Sequence, residues 1–194
     1  MQQIIELTTP FSEEAISQLR VGDVVTLTGY IYTGRDAVLP KIVKAAEEGT
    51  LKDLGIDLQG AVIFHTAVSP AGVGPTSSNK LEIECTFEPL SRHGVKMHLG
   101  KGAISKETVA ALKENNAVFA IIPPVTALLG SQTVEQEIVA FPELGMEAFN
   151  RLKVVKYQAI IAAAKGDSIP SILCRRQAQR NNQTSLPYRP AMPL

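Results

Sequence analysis

Between residues 61 and 122, three short apolar runs alternate with stretches of helical character, and this alternation narrows the possible folds more than any other feature of the chain. The runs cover residues 61–65, 95–99 and 117–122, and Pro123-Pro124 closes the last. Apolar runs this short, bounded by turn residues, read as buried strands. The helical stretches are one that follows GPTSSNK into the eighties and one that Ser105 caps and that runs to about Asn115. Strand, helix and strand in succession require right-handed crossovers and a parallel sheet, with binding loops gathered at the C-terminal ends of the strands.

The flanks fill out the same domain. Residues 4–7 read as a strand, Ser12 as the cap of a helix through residue 19, and Gly22-Asp23 as a turn into a strand over 24–28. Gly29 then punctuates before a further strand over 30–33. After Arg35, AVLPKIVKAAEE reads as a helix with Asp36 at its N-cap and Pro40 in its first turn. The N-terminal strands, and the later VEQEIVAF, LKVVKY and QAIIAAAKG runs, read as antiparallel partners. The expectation is a layered α/β domain over residues 1–170, with a mixed sheet, helices and a second small β layer. Residues 171–194, rich in Arg, Asn, Gln and Pro, read as an extended or disordered arm.

Composition removes several classes of function. With 194 residues, 45% of them hydrophobic, the chain can bury a substantial core in one domain. Lys plus Arg and Asp plus Glu are 19 each, so neither a nucleic-acid footprint nor a polybasic membrane surface is written in the charge. The apolar runs fall far short of the roughly 20 residues a spanning helix needs, and MQQIIELTTP is not a secretory signal, so a cytoplasmic protein is expected. Cys85 and Cys174 lie far apart with no metal-binding spacing, and His65, His93 and His98 are scattered, so no metal site is expected on the chain.

Three loops carry anion-binding groups. GVGPTSSNK, from Gly72 to Lys80, gathers Thr76, Ser77 and Ser78 before sequence able to continue as a helix, a setting that offers N–H groups and hydroxyls to a carboxylate or phosphate. Arg35 follows GYIYT in a Gly-Arg-Asp turn, and Lys101 follows VKMHL between two glycines. An arginine fork suits a carboxylate held by two parallel bonds, and the glycines let the Lys101 backbone approach a ligand closely.

The order GYIYTGRDA, VGPTSSNK, LGKGAIS and FPELGMEA resembles the β subunit, or C-terminal domain, of the iron–sulfur hydro-lyases of the class I fumarase and L(+)-tartrate dehydratase group, over residues 8 to 168. VKYQAIIAAAKGDS falls where that family's closing hairpin lies. The resemblance implies a swivelling β/β/α fold and an obligate α subunit that carries a 4Fe–4S cluster, with none bound by this chain. Cysteine number agrees with that division, because a cluster with one open iron needs about three protein thiolates. It further implies that Arg35, Thr76, Ser77, Lys80 and Lys101 bind a small dicarboxylate substrate, with Thr76 and Lys101 closest to the chemistry. Asp36 reads as a helix cap or an orienter of Arg35. Lys80 stands where the family usually has arginine, and Leu39 and Pro40 stand where a histidine commonly follows Arg35. The segment from His65 to Val68 replaces a glycine-proline step.

The implied reaction is reversible dehydration of a 2-hydroxy dicarboxylate of the malate or tartrate type, with this chain supplying position and charge. An apolar surface beside the three loops is expected to meet the α subunit, and it allows the chain alone to self-associate. Two other readings keep the loops without this chemistry. One is a non-catalytic anion-binding or regulatory swivelling domain. The weaker one is a phosphate-handling domain using His65 or His98.

Overall fold

The structure, a computed structural model, describes residues 4–77, 80–122 and 126–175, leaving aside the side chains of Lys80 and Thr126. In chain order the elements are β1 (Ile4–Thr8), α1 (Glu13–Gln18), β2 (Val24–Thr33), α2 (Leu39–Glu47), β3 (Val62–Phe64), β4 (Thr66–Ser69), β5 (Gly72–Thr76), α3 (Lys80–Glu84) and α4 (Phe87–Arg92). They continue with β6 (Met97–Gly100), α5 (Lys106–Glu114), β7 (Val118–Ile121), α6 (Thr126–Gln132), β8 (Thr133–Ala140), β9 (Phe149–Ala164) and β10 (Asp167–Ser168). Short 3-10 segments occupy Leu51–Leu54 and Pro142–Glu147. Among the described residues, no helix is long and apolar enough to cross a membrane.

β2, β3, β6 and β7 are parallel neighbours, as the strand and helix alternation requires. The long β9 then runs antiparallel to both ends of that set, pairing with β2 along residues 150–160 and with β7 along residues 160–163. The sheet therefore closes on itself through β2, β3, β6, β7 and β9. β1 lies along β2 beside β3, and β8 along β9 beside β7. Side chains alternate across this wall with the strand period of two. Val25, Leu27, Ile31, Val62, Phe64, Met97, Leu99, Val118, Ala120, Leu152 and Val154 fill the inside. Ile63, His98, Phe119 and Phe149 face outward, where helices cover them.

Two expected details differ. β1 is parallel to β2, because α1 lies between them and supplies the crossover that parallel pairing needs. The two strands expected around Gly29 are one, β2, facing a bulge in β9: between the pairs Leu27–Tyr157 and Gly29–Val154 one residue of β2 stands against two of β9, Gly29 sits at φ 119°, and Lys156 of β9 takes a positive φ of 56°. LKVVKY and QAIIAAAKG accordingly form one strand with a local irregularity.

Local capping follows the sequence closely at two helices. Ser12 Oγ accepts from the Ala15 N–H, and Ser105 Oγ accepts from the Thr108 N–H. In α2 the N-cap is Val38 with no side-chain bond, so Asp36 is not the cap, while Pro40 does sit in the first turn. Leu39, Ile42, Ala45 and Ala46 form the buried face of α2. The second small β layer is the hairpin of β4 and β5, where Val68 pairs with Val73 and both are buried. Residues 169–175 are helical, so the expected arm does not begin at 171, and its remainder lies outside the described residues.

Candidate active site at the strand ends

The registers place the C-terminal ends of four parallel strands side by side. Thr33 pairs with Phe64, Phe64 with Leu99, and Leu99 with Ala120. One row further on, the Gly34 N–H donates to the Phe64 carbonyl at 3.2 Å and the His65 N–H to the Leu99 carbonyl at 2.9 Å. Arg35 and Lys101 thus leave the same edge of the sheet, with β3 and the residue that follows it, His65, between their strands. Two strand spacings separate the two exits, about 10 Å.

Ser77 joins this edge by donating its backbone N–H to the His65 carbonyl at 2.9 Å. A cavity of about 290 Å³ opens there, walled by His65, Ser77, Glu84, Phe87 and the Gly100-Lys101-Gly102 turn, among others. Gly102 holds a φ of 75°, and a Cβ on Gly100 would stand 3.0 Å from the Phe119 ring, so both glycines answer to the backbone of this turn. Of the five expected ligand residues, Ser77 and Lys101 meet at the cavity.

Arg35 and Thr76 are not in its wall. Thr76 ends β5 opposite Thr66. The stretch expected to be an anion-cradling loop is, from Gly72 to Thr76, the second strand of the β4–β5 hairpin. Burying Val68 against Val73 outweighs leaving the segment open, and the helix that follows, α3, has five residues. Lys80 opens α3, and its side chain lies outside the described residues. Arg35 is ion-paired through Nε with Asp36 at 3.3 Å and through Nη1 with Glu147 at 3.4 Å. Of the two roles open to Asp36, orienting Arg35 is the one the structure shows. Glu147 comes from the 3-10 segment of FPELGMEA, so the late motif reaches back to the first loop. Leu39, at the position of the missing histidine, is fully buried among apolar neighbours of α2 and the sheet.

Sequence reasoning did not place the histidines together. His65 Nε2 lies 3.1 Å from His98 Nδ1, and His98 Nε2 lies 3.0 Å from Ser91 Oγ on α4. Phe87 stacks on both rings, at 4.7 Å and 4.2 Å between centroids. His65 is 2% exposed and His98 fully buried. Burial pushes the His65 imidazole down to about 3, and burial first, then the neighbouring His65, holds His98 well below its ordinary value of 6.5. Both are neutral near pH 7. Opposite them, Glu84 Oε2 accepts from the Ser105 N–H at 2.9 Å and the Thr108 hydroxyl at 2.7 Å, tying the cavity wall to the start of α5. Cys85 and Cys174 are both exposed and unbridged, and no group of three or more His, Cys, Asp or Glu side chains suited to a metal ion occurs among the described residues.

The sequence model of the fumarase C-terminus matches residues 1–171. The chain belongs to that family. Among its relatives, the L(+)-tartrate dehydratase subunit beta of Escherichia coli K12 is 33% identical over 152 residues, which cover 72% of each chain. A Geobacillus stearothermophilus protein provisionally named fumarate hydratase class I is 28% identical over 199 residues, covering 96% of this chain. This fumarase C-terminus chain spans 37% of the length of that protein and so corresponds to one part of it.

Proposed function

We propose that the chain is the β subunit of a hydro-lyase that reversibly dehydrates a small 2-hydroxy dicarboxylate of the malate or tartrate type, active together with an α subunit. The observation that carries this reading is the meeting of Lys101 and Ser77 in one cavity at the strand edge that Arg35 also leaves, in a chain similar to a tartrate dehydratase β subunit.

In this reading, Lys101 supplies charge and Ser77 a hydroxyl to one carboxylate, and we assign Lys80 to the substrate from its place in the sequence motif alone. Arg35 takes the other carboxylate. Its pairs with Asp36 and Glu147 use Nε and Nη1, while a guanidinium carries five N–H donors, so they hold the fork in place and leave Nη2 for a ligand. Thr76 lies just before Ser77 and orients the substrate by hydrogen bonding. The carbon that loses a proton develops negative charge next to a carboxylate, and cations fixed beforehand stabilise that charge without reorganising. A 4Fe–4S cluster would supply Lewis-acid chemistry at the hydroxyl. Two exposed cysteines do not make its ligand set, so we assign the cluster to the α subunit and to this chain only binding, orientation and, on closure of the domain against its partner, exclusion of water.

The second reading, an anion-binding module without catalysis, is favoured by the fully buried Leu39, which stands where a proton-exchanging histidine commonly follows Arg35 in the family. Co-expression with a candidate α subunit from the same organism, anaerobic purification, iron analysis and turnover on malate, fumarate and tartrate decide between them. The expected result is a two-chain enzyme with iron bound to the partner. A purified complex that holds iron and turns over none of the three substrates would establish the module instead.

A further inference from the structure

The buried histidine pair has an end that nothing in the fold satisfies. His65 forms part of the cavity wall, its Nε2 is bound to His98, and its Nδ1 has no hydrogen-bond partner among the described residues. Two neutral imidazoles joined nitrogen to nitrogen share one proton, so the row Ser91, His98, His65 has two polarities. In one, Ser91 donates to His98, His98 donates to His65, and His65 presents an Nδ1–H. In the other all three reverse, and the Ser91 hydroxyl proton must find a further acceptor. Ser91 is 3% exposed, and His98 is the side-chain partner of its Oγ among the described residues, so the first polarity leaves fewer groups unmet. It ends in a neutral, buried N–H donor on a residue that shares its cavity wall with Lys101 and Ser77.

We propose that His65 is a ligand-contacting residue of this site, its Nδ1–H donating to a carboxylate oxygen of the anion that Lys101 and Ser77 bind, with His98 and Ser91 as positioning residues that hold its tautomer. The proposal rests on the carboxylate-binding reading above. An acceptor from the ligand meets the one donor of the row left without a partner, and hydrogen bonds aligned head to tail strengthen one another. Burial supports it, because both rings stay neutral and the donor persists across the working pH range. The contact discriminates against ligands that bring only a cation or a donor to this end of the cavity.

The test uses the full chain, labelled with 15N at histidine, and succinate, a dicarboxylate without a hydroxyl to eliminate. Two-bond proton–nitrogen correlation is expected to show His65 protonated at Nδ1 and that resonance moving as succinate is added. Gln in place of histidine reproduces Nε2, and Asn reproduces Nδ1. His65→Gln, which keeps the bond to His98, is therefore expected to weaken succinate binding about tenfold, while His65→Asn keeps it within about threefold. Ser91→Ala leaves His65 intact and is expected to shift the tautomer toward Nε2–H. A His65 found protonated at Nε2, a resonance indifferent to succinate, or His65→Gln binding no more weakly than His65→Asn overturns the proposal. In the two-chain enzyme, normal turnover with a KM unmoved by His65→Gln removes this contact and leaves the hydro-lyase standing. Succinate bound at His65 in a complex that turns over no hydroxy dicarboxylate removes the hydro-lyase and leaves the contact.

Discussion

Arg35 reaches its position through partners far away in the chain. Glu147 stands 112 residues later and meets it only because the 3-10 segment between β8 and β9 packs over the end of β2. The arginine was legible from its turn and its glycine; its second carboxylate was not, because that pairing depends on how strands assemble. In the two-chain enzyme, Arg35→Lys keeps charge and loses the planar fork, and kcat/KM is expected to fall by about 2–5 kcal/mol in transition-state terms. Stability should move by less than about 1 kcal/mol, since the pairs it loses are partly solvated. Unchanged constants on every substrate would remove Arg35 from the ligand set. The histidines make the same point through register. His65 and His98 are 33 residues apart and touch because Ile63 pairs with His98 across β3 and β6, a fact no spacing in the sequence contains. Their folded values lie below the unfolded 6.5, so the unfolded chain binds more protons at acid pH, and stability falls as pH drops below 6.5. Each ring's contribution to the slope grows as pH falls below 6.5 and approaches a limit of about 1.4 kcal/mol per pH unit. Urea midpoints between pH 6.5 and 5 should therefore fall less steeply in His98→Gln than in the parent chain, whereas parallel curves would mean that His98 protonates at no cost.

At the scale of elements, the helices with side-chain caps were the most legible. Ser105 announces α5, and the structure adds a carboxylate behind it: Glu84 takes the Ser105 N–H and the Thr108 hydroxyl. Ser105→Ala is expected to cost about 1 kcal/mol, as caps generally do. Combined with Glu84→Ala in a double-mutant cycle, the two should couple by roughly 0.5–3 kcal/mol, because they share one hydrogen-bonded cluster. Strictly additive effects in chemical denaturation would show that the cluster is not cooperative. β5 is where local reading was overridden. Gly, Pro and hydroxyl residues from Gly72 onward favour a loop, yet Val73 has a buried partner in Val68, and pairing with β4 turns the loop into a strand. Glycine and proline mark a change of direction well but do not reveal that another strand is waiting beside them.

For the whole molecule, the parallel order of β3, β6 and β7 could be read from alternation alone, whereas closure of the sheet could not. Closure needs β9 to pair with both β2 and β7, contacts between the two ends of the chain for which an apolar run gives no address. Leu152 sits fully buried inside that closure, so Leu152→Ala should destabilise by about 2–5 kcal/mol in equilibrium urea unfolding, more than an exposed change at Val155 on the same strand. The order of the strands also sets a schedule. Synthesis proceeds from the N-terminus, and β2, β3, β6 and β7 all leave the ribosome before β9 does. Until residue 164 has emerged, one side of β2 and one side of β7 carry open backbone groups, the kind of edge on which nascent chains stick to one another. The growing polypeptide is thus most in need of a chaperone just before its last long strand arrives.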